Sequence, residues 1–337
     1  MSESPRRASE TKRPGRRTRA LSAPAVVAAL LPLAVWVLMR VPGEDWWGGA
    51  ALVYAPKAQW IAVPALGLLV AAIAHRGMLV AVNLAAVAFA LFVIAGFELN
   101  RPVPPPEDRP VVRVATWNVY GWTDERELVR DRIMSWDCDV VCLQESRRAV
   151  FRDLLPGYES ANIGDLRTYA RGRIVRTQAP PDPMTRLRRM LLAEIETDAG
   201  PLTVINLHIP RADRVGPTPR QVKPLIEYIE TGVNSRARKF DQLIDLLPPR
   251  APLVVTGDMN TPPASRYHAL VSERLTDSFE TVGSGFGYTF LWRRKLPMLR
   301  IDYVWTGGGV EPLRHRTAPA HPSDHRPIIT ELALPAE

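Results

Sequence analysis

Residues 253–263 read LVVTGDMNTPP, a short apolar run followed by a glycine, an aspartate and an asparagine. The branched aliphatic residues at its start predict a strand that is covered on both faces. Gly257 lets the chain bend where the strand ends, and the prolines that follow prevent a helix or a further strand. Asp258 and Asn260 therefore point the same way at the rim of a sheet. They either close an Asx turn or present a carboxylate and a carboxamide for chemistry, and this stretch leaves both interpretations open.

Strands and helices alternate on both sides of this stretch. The predicted strands are VVRVATW (111–117), DVVCLQ (139–144), PLTVINLH (201–208) and IDYVW (301–305). Apolar residues at helical spacing predict a helix before residue 252, and they are Val233, Ala237, Phe240, Ile244 and Leu247. An earlier helix can be capped by Asp124 and Glu127, with Val129, Ile133 and Trp136 on one face. Such alternation is typical of an α/β domain, which we expect over residues 111–337.

Polar residues recur at the ends of the predicted strands. They are Asn118, Glu145, His208, Asp258, Asn260, Asp302, Asp324 and His325. Each has a harmless explanation by itself, as a turn residue or a helix cap. Asp302 is harder to explain in this way, because a carboxylate inside an apolar strand needs a cation or a hydrogen-bond donor. Since open α/β sheets assemble their sites at strand ends, the repetition predicts a single site.

Six short motifs, in this order, resemble the endonuclease/exonuclease/phosphatase superfamily, which includes DNase I-like nucleases, abasic-site endonucleases, neutral sphingomyelinases and inositol-polyphosphate 5-phosphatases. The motifs are TWN, LQE, NLH, GDMN, IDYV and SDH. The resemblance covers residues 111 to about 333. It implies a four-layer α/β sandwich, in which two mixed sheets lie face to face with helices outside and the site lies at one rim.

The resemblance also implies a divalent metal, Mg²⁺ with Mn²⁺ as the alternative. Glu145 is the carboxylate expected to hold it. Asn118 is expected to support the metal or a phosphate oxygen, and Asp324 to touch the metal indirectly. A hard cation of this kind prefers oxygen ligands and takes one or two carboxylates.

Catalytic roles follow from the same resemblance. Asp258 is expected to orient or deprotonate the attacking water, and Asn260 to bind a phosphate oxygen. Asp302 would fix the tautomer of His325, which could then bind phosphate or transfer a proton. His208 is the candidate general acid near the leaving oxygen.

Two residues depart from the pattern of the nuclease relatives. Tyr120 stands where some nucleases place an acidic residue. Arg211 stands where abasic endonucleases carry an asparagine, and its guanidinium is suited to binding phosphate. Both differences argue against carrying DNA-repair specificity over to this chain.

The two cysteines, Cys138 and Cys142, lie in the segment DCDVVCLQE, and their separation can be calculated if this whole segment is a strand. Four residues of strand separate their Cα atoms by about 13 Å, roughly twice the reach of a disulfide. We therefore expect two buried, unpaired thiols. Without a second pair of ligands their spacing does not predict a zinc site.

Three uncharged apolar stretches precede the α/β domain, at residues 21–39, 58–74 and 78–97. The first and third are long enough to span a bilayer, and the second is marginal. A cleaved signal peptide is the alternative for the first, but two further apolar stretches and the lack of a clear cleavage site favour an anchor. We expect three transmembrane helices within residues 21–98 and a Pro-rich linker at 99–110.

The N-terminal tail, residues 1–20, carries most of the net charge. It supplies +5 of the total of +8. Because cytoplasmic segments are enriched in arginine and lysine, this tail is expected in the cytoplasm. Three crossings would then place the α/β domain outside the cytoplasm. The high positive charge therefore indicates membrane orientation rather than a nucleic-acid partner.

Three basic clusters and four histidines are not expected to take part in chemistry. The clusters at residues 186–189, 236–239 and 293–295 are interpreted as solvated faces, with a nucleic-acid backbone or anionic headgroups as the alternative partners. The histidines are His75 at a membrane edge and His268, His315 and His321 at the surface or in loops.

The sequence as a whole predicts a membrane-anchored, Mg²⁺-dependent phosphoesterase, with a nuclease-like phosphodiesterase favoured. One alternative is a phospholipid or inositol-phosphate phosphatase or a sphingomyelinase-like enzyme of the same superfamily. The other is an inactive binding domain on a membrane anchor. The expected partners are a phosphate-ester substrate, either nucleic acid or lipid headgroup, and the membrane itself. No obligate protein partner is predicted.

Overall fold

The computed structural model describes residues 22–41, 43–120, 125–146, 151–179, 190–209 and 236–336. The chain divides into two compact units. One holds Ala58–Ala95 together with the chain up to Trp36. The other holds Val37–Lys57 and the chain from Gly96 onward.

From residue 22 onward, the structure describes four α-helices before the two large sheets: α1 (Ser22–Arg40), α2 (Trp47–Tyr54), α3 (Ala58–Ile73) and α4 (Gly77–Phe89), which continues as a π-helical turn over Ala90–Ile94. Two helical segments, Ser22–Arg40 and Gly77–Ile94, are long and apolar enough to cross a membrane. The 16-residue α3 meets that criterion only together with α2, from which it is bent by 83°. Two of the three predicted spans are therefore supported, and the third stays a prediction.

Small residues let the apolar helices of the first unit approach one another. Gly67 of α3 faces Ala28 of α1, where an added Cβ would lie 2.6 Å from the alanine methyl. Asn83 of α4 is fully buried and donates to the carbonyl oxygen of Ala25 at 3.1 Å. Close backbone approach with an interhelical hydrogen bond is typical of helices that associate in a membrane.

The second unit contains two six-stranded sheets. The first sheet has the order β15-β16-β2-β3-β5-β4, formed by Glu311–Thr317, Ile328–Ala333, Val111–Asn118, Val140–Gln144, Leu166–Ala170 and Glu159–Ile163. The second has the order β10-β14-β9-β8-β7-β6, formed by Thr276–Asp277, Asp302–Gly307, Leu253–Asp258, Gly200–His208, Met190–Thr197 and Arg173–Gln178. Both are mixed, because β2 pairs with β3 and β8 with β9 in parallel while their other neighbours are antiparallel.

Shorter elements are also present in the described residues of this unit. The helices are α5 (Arg126–Ser135), α6 (residues 236–246), α7 (Arg266–Ser272) and α8 (Ser278–Val282). The minor strands are β1 (Glu98–Leu99), β11 (Ser284–Gly285), β12 (Phe290–Trp292) and β13 (Leu296–Leu299). β12 and β13 form a hairpin, and β1 pairs with β11.

Alternation along the strands builds three cores. Val114, Val254 and Val304 belong to a core between the two sheets. Residues of the opposite parity face the helices: Trp117 packs with Ile133 of α5 on one side, and other strand residues pack against α6 and α7 on the other. The predicted sandwich of two mixed sheets with helices outside is confirmed.

The burial of several side chains differs from what the sequence predicts. Arg236, interpreted as part of a solvated face, is fully buried, and Lys239 is 8% exposed. His268 lies in α7 and is buried rather than at the surface, because it pairs with the buried Asp277. The cysteines are free and buried as predicted.

The Pro-rich segment is tied to the domain along its length. Residues 101–110 form no helix or strand. The N–H of Val103 nevertheless donates to the carbonyl oxygen of Leu313 at 2.8 Å, and the guanidinium of Arg109 donates to that of Leu334 at 2.7 Å. These bonds hold the segment against β15 and the end of β16.

Candidate active site

The side chains that face the opposite sheet become polar where the strands end. Val254 of β9 lies in the core between the sheets, so Asp258, four positions later, points to the same side. The same spacing links Val114 to Asn118 on β2, and His208 ends β8 on the same face. The apolar core therefore gives way to a polar rim at one end of the sandwich, as the sequence predicts.

Strand register brings the central residues side by side. Asp258 pairs with Asp302 across β9 and β14, and with His208 across β9 and β8. Gly257 precedes it with φ +132°, and an added Cβ would lie 2.0 Å from the carbonyl oxygen of Leu207. A glycine is required at this position for both reasons.

The two carboxylate oxygens of Asp258 have different partners. Oδ1 accepts the backbone N–H of Asn260 at 2.8 Å, which is the Asx turn. Oδ2 accepts from Nδ2 of Asn118 at 2.9 Å and lies 3.7 Å and 3.9 Å from Nε2 of His208 and His325. The Asx turn is therefore present, and the second oxygen of the same carboxylate faces the other polar groups of the rim. Burial and repulsion from Asp302 raise the pKa of this 1%-exposed carboxyl group.

Asp302 and His325 form the predicted carboxylate–imidazole pair. Nδ1 of His325 lies 2.9 Å and 3.1 Å from the two oxygens of Asp302, and both side chains are buried. Burial lowers the pKa of His325, but the charges of Asp302 and Asp258 outweigh it and raise this pKa to about 10. The ring is therefore a buried cation at neutral pH, with Nε2 directed to Asp258.

The serine that precedes Asp324 and His325, Ser323, fixes the loop that carries them. Its hydroxyl donates to the backbone carbonyl of Asn118 at 2.7 Å and accepts the N–H of His325 at 3.0 Å. It thereby joins the C-terminal loop to the end of β2. From the sequence it was predictable only as part of the SDH motif.

His208 is held by a residue that the sequence analysis missed. Its Nδ1 lies 2.9 Å from Oδ2 of Asp165, which is 1% exposed. Asp165 lies in the turn between β4 and β5 rather than at the end of a long apolar strand, so its sequence context gave little signal. Asp258 consequently faces two imidazoles, each oriented through Nδ1 by a second carboxylate.

Two of the predicted metal ligands, Glu145 and Asp324, are partly exposed, whereas Asn118 is buried. The side chain of Glu145 is 31% exposed, and its Oε1 accepts from Nδ2 of Asn118 at 3.3 Å. The Oδ1 of Asn118 is taken by the backbone N–H of Tyr120, so in this rotamer its nitrogen, not its oxygen, faces the carboxylates. Burial and the charge of Glu145 raise the pKa of Asp324, although nearby His325 opposes this.

The carboxylates of Glu145 and Asp324 fit a hard cation. Oδ1 of Asp324 is buried and has no hydrogen-bond partner among the described residues. The negative charge of Glu145 also repels the carboxylate of Asp324. A divalent ion would satisfy that oxygen and relieve the repulsion. Asp258, Asp302 and His325 also bring ligand atoms within 4.8 Å of one another, but Asp302 and His325 are already bonded together. Glu145 and Asp324 are therefore the better-suited pair.

Strained backbone marks the same rim. Tyr120, Glu145 and Asn260 have φ values of 56°, 56° and 47°, which side chains other than glycine rarely adopt. Such strain persists where the surroundings enforce it and clusters at functional sites. Asn260 is fixed further because its Nδ2 donates to the carbonyl oxygen of Ile209 at 3.0 Å.

A basic residue reaches the rim from the hairpin of β12 and β13. The guanidinium of Arg294 lies 5.0 Å from the ring centroid of Tyr120. The hairpin is joined to the site by the N–H of Leu291, which donates to the carbonyl oxygen of Asp324 at 2.8 Å. Arg294 was interpreted as part of a solvated cluster, and it is exposed, but it lies beside the site. The predicted phosphate ligand Arg211 lies outside the described residues, as does the cluster at 186–189.

Known proteins share this fold at low sequence identity. The match to an AP endonuclease from Archaeoglobus fulgidus has 17% identity and a TM-score of 0.53, and covers 65% of this chain and 98% of that one. The match to a 3′ phosphatase from Neisseria bound to a product DNA hairpin has 17% identity and a TM-score of 0.52, and covers 65% of this chain and 98% of that one. The match to an endonuclease/exonuclease/phosphatase from Bacteroides vulgatus has 19% identity and a TM-score of 0.52, and covers 67% of this chain and 99% of that one. No curated protein matches the chain.

A family model extends these fold matches to the sequence. The model of the endonuclease/exonuclease/phosphatase family matches residues 115–325, which is well over half of the chain. The matched region begins on β2, before Asn118, and ends at His325, so it encloses the whole polar rim. The chain belongs to the endonuclease/exonuclease/phosphatase family.

Proposed function

We propose that this chain is a metal-dependent phosphoesterase that hydrolyses phosphodiester or phosphomonoester bonds, with a nuclease-like phosphodiesterase activity favoured. One observation carries the proposal. Asp258 is buried between the imidazoles of His208 and His325, and each ring is held by a further carboxylate. Such an arrangement suits proton transfer to and from a phosphate ester, whose anionic oxygens otherwise repel a nucleophile.

Each residue has a role that its contacts support. Asp258 would orient the attacking water and accept its proton, and its raised pKa favours that transfer. His325, protonated at neutral pH, would bind a phosphate oxygen and stabilise the charge that develops on it. His208 would donate a proton to the leaving oxygen, because Asp165 directs its Nε2 into the site. Asn118 and Asn260 would contribute amide groups to the phosphate.

The proposed metal is Mg²⁺, with Mn²⁺ as the alternative, held by Glu145 and Asp324. Such an ion neutralises charge on the phosphate and polarises the phosphorus–oxygen bond. Oxygen ligands favour these ions over softer ones. The buried oxygen of Asp324 that lacks a hydrogen-bond partner in the described part of the chain supports this assignment.

The substrate class has support from two directions. The structural relatives include an AP endonuclease and a 3′ phosphatase bound to a product DNA hairpin, which favours a nucleic acid. The apolar helices that could cross a membrane favour a lipid headgroup or an inositol phosphate instead. We infer that the protein is a multi-pass membrane protein, with a cytoplasmic N-terminus and the catalytic domain on the other side.

The test is an assay of the full-length protein in detergent with Mg²⁺. Plasmid DNA, RNA, sphingomyelin, phosphoinositides and a simple phosphodiester should be compared. At least one should be hydrolysed, and Asp258→Asn and His325→Ala should each abolish most of that activity. Hydrolysis that persists in both variants would disprove the assignment of the site, and no hydrolysis of any substrate would favour the inactive binding domain.

A further inference from the structure

The segment that connects α1 to α3 packs on the catalytic domain as part of the same compact unit. Glu44 is only 4% exposed. Its Oε2 accepts the hydroxyl of Ser265 at 2.6 Å and the backbone N–H of Arg266 at 3.0 Å. Glu44 therefore binds both the first residue of α7 and the serine that precedes it.

Hydrogen bonds through a second residue of the segment connect the same carboxylate to a buried arginine. Oε1 of Glu44 accepts the hydroxyl of Tyr54 at 2.7 Å. The Tyr54 oxygen accepts in turn from Arg236 of α6, whose guanidinium also lies 5.2 Å from the tyrosine ring centroid. Arg236 is fully buried. Since a buried guanidinium needs nearby negative charge and hydrogen-bond acceptors, Glu44 and Tyr54 stabilise it where it lies.

Arg236 connects this network to the catalytic loop. Its second amino group donates to the hydroxyl of Thr261, which donates to the carbonyl oxygen of Met259 at 2.7 Å. On the other side of the loop, the hydroxyl of Tyr303 donates to the carbonyl oxygen of Thr261 at 2.6 Å. The turn that carries Asp258 is thus held from two sides, by β14 of its own sheet and by Arg236.

We propose that residues 43–57 pack on the catalytic domain and are required for its activity. Glu44 and Tyr54 act through Arg236 as positioning residues for the loop Asp258–Thr261. The catalytic part of this inference rests on the proposed function. The placement of the segment rests only on the contacts. A consequence follows for topology: residues 43–57 and the domain lie on one side of a membrane, so residues 58–95 cross it an even number of times.

Kinetics test the positioning role. All three partners of Glu44 are donors, so Glu44→Gln places an NH₂ group against a donor and breaks one side of the network. Tyr54→Phe removes the hydroxyl that links Glu44 to Arg236. Because a misplaced catalytic group lowers the rate of the chemical step, kcat should fall about 10- to 100-fold in each variant. KM should stay within about twofold, since no substrate contact changes.

Asp45→Asn is the matched control. Asp45 is adjacent to Glu44, and its 73%-exposed side chain pairs with Arg266 at the surface. An exposed pair of this kind contributes little to stability, so kcat should match the wild type. Thermal unfolding of each full-length variant shows whether it is folded. Folded Glu44→Gln and Tyr54→Phe variants with the kcat of Asp45→Asn would overturn the positioning role.

Cross-linking tests the placement without using activity. Asp45→Cys combined with Arg266→Cys puts one thiol on the segment and one on α7, at positions whose native side chains form an ion pair. The native cysteines are buried and should not compete. A short bifunctional maleimide should link the two introduced thiols in intact membranes, as read by mass spectrometry of the joined peptides. If both single variants react with maleimide but no link forms in the double variant, the inference is wrong.

The two experiments separate the two proposals. A link together with no hydrolysis of any substrate would reject the proposed function and leave the placement of residues 43–57 standing. The absence of a link would reject the placement whatever the activity. A link, hydrolysis and the expected fall in kcat support both.

Discussion

At the scale of single residues, Asp258 shows how the two oxygens of one carboxylate can take different partners. One of its oxygens closes the Asx turn with Asn260 and the other faces Asn118 and two imidazoles. A sequence pattern indicates only that a carboxylate stands at a strand end. It does not show that the two oxygens take different partners, because these come from segments distant in the chain.

Replacing Asp258 by asparagine should separate the roles of these two oxygens. The Asn side chain keeps an oxygen for the N–H of Asn260, so the turn survives, but it cannot accept a proton from water. We expect kcat to fall about 10²- to 10⁴-fold. The new NH₂ group faces the Nδ2 donor of Asn118, but burial and Asp302 already disfavour the charged carboxyl group. Because these two effects oppose each other, the thermal midpoint of unfolding should change little. A lower midpoint with unchanged kcat would show that the residue is structural.

Asp165→Asn should lower activity through His208. The carboxylate fixes which nitrogen of the ring carries the proton, and an asparagine can hold the other tautomer. We expect kcat to fall on the order of 10²-fold, with a shifted pH–rate profile. Asp131→Asn, which changes an exposed carboxylate paired with Arg130, is the matched control. Equal kcat values and pH profiles in both variants would exclude the positioning role of Asp165.

What the sequence missed at this scale has a common physical cause. Asp165 and Arg236 act through contacts with residues far away in the chain, so their neighbours in sequence carry no signal. Arg236 stands in a run of basic residues that is typical of a solvated face, yet α6 turns it inward to Tyr54 and Thr261. By contrast, Asp302 was predictable because a carboxylate in an apolar strand needs a partner.

At the scale of secondary structure, strand parity was the most informative signal. The alternation that buries Val254 also fixes the direction of Asp258, and the same holds for Val114 and Asn118. Both the sandwich and the rim of the site could therefore be predicted from apolar patterning and motif order. Helix ends were less predictable: α5 begins at Arg126 after Glu125, which makes no side-chain cap bond, and the predicted cap Asp124 lies outside the described residues.

Gly257→Ala tests how strictly β8 and β9 set the site. An added Cβ would meet the carbonyl oxygen of Leu207 at 2.0 Å, in backbone that cannot move away without separating the strands. We expect a loss of unfolding free energy of about 2 kcal/mol or more and loss of most activity. Gly157→Ala is the control, since it has φ +78° and nothing within 4 Å. It should cost about 1 kcal/mol, and an equal effect at both positions would exclude the close contact as the cause.

Asp277 should prove essential to the elements that support β14. It caps α8 by accepting the N–H of Phe279 at 2.8 Å, and it pairs with Arg300 and His268 inside the domain. Asp277→Ala leaves the buried Arg300 with only the partly exposed Glu280 as a described carboxylate partner, so we expect a cost of about 3–5 kcal/mol in urea unfolding. Asp277→Asn keeps the cap acceptor and should cost less; equal costs would contradict this account.

The lowered pKa of Asp277 also predicts that the stability of the domain decreases at low pH. Burial opposes the charged form of Asp277, but Arg300 and His268 outweigh it and hold the pKa of this carboxyl group well below its usual range. Its contribution is therefore complete above the unfolded pKa of about 3.9 and is lost as the pH falls through the lower folded value. The free energy of unfolding should decline less below pH 4 in Asp277→Asn than in the wild type.

At the scale of the whole molecule, the basic tail and the packed segment 43–57 bear on topology independently. The tail holds +5 of the net charge of +8, which favours a cytoplasmic N-terminus. The segment belongs to the same compact unit as the α/β domain, so both should lie on the same side of the membrane. Hydropathy alone could not settle the number of crossings, because α3 has only 16 residues and is bent away from α2 by 83°.

Thiol labelling of intact cells should decide between two crossings and three. With three, position 45 lies outside the cytoplasm and position 75, between α3 and α4, lies inside. An impermeant maleimide should then label Asp45→Cys in intact cells but His75→Cys only after permeabilisation, while the buried native thiols stay silent. A reporter fused after residue 337 should signal from outside the cytoplasm. If position 45 is labelled from outside but the reporter signals from the cytoplasm, the chain crosses twice. Residues 43–57 could then not reach the catalytic domain, and the bonds from Glu44 to Ser265 and from Arg236 to Tyr54 could not form in the membrane.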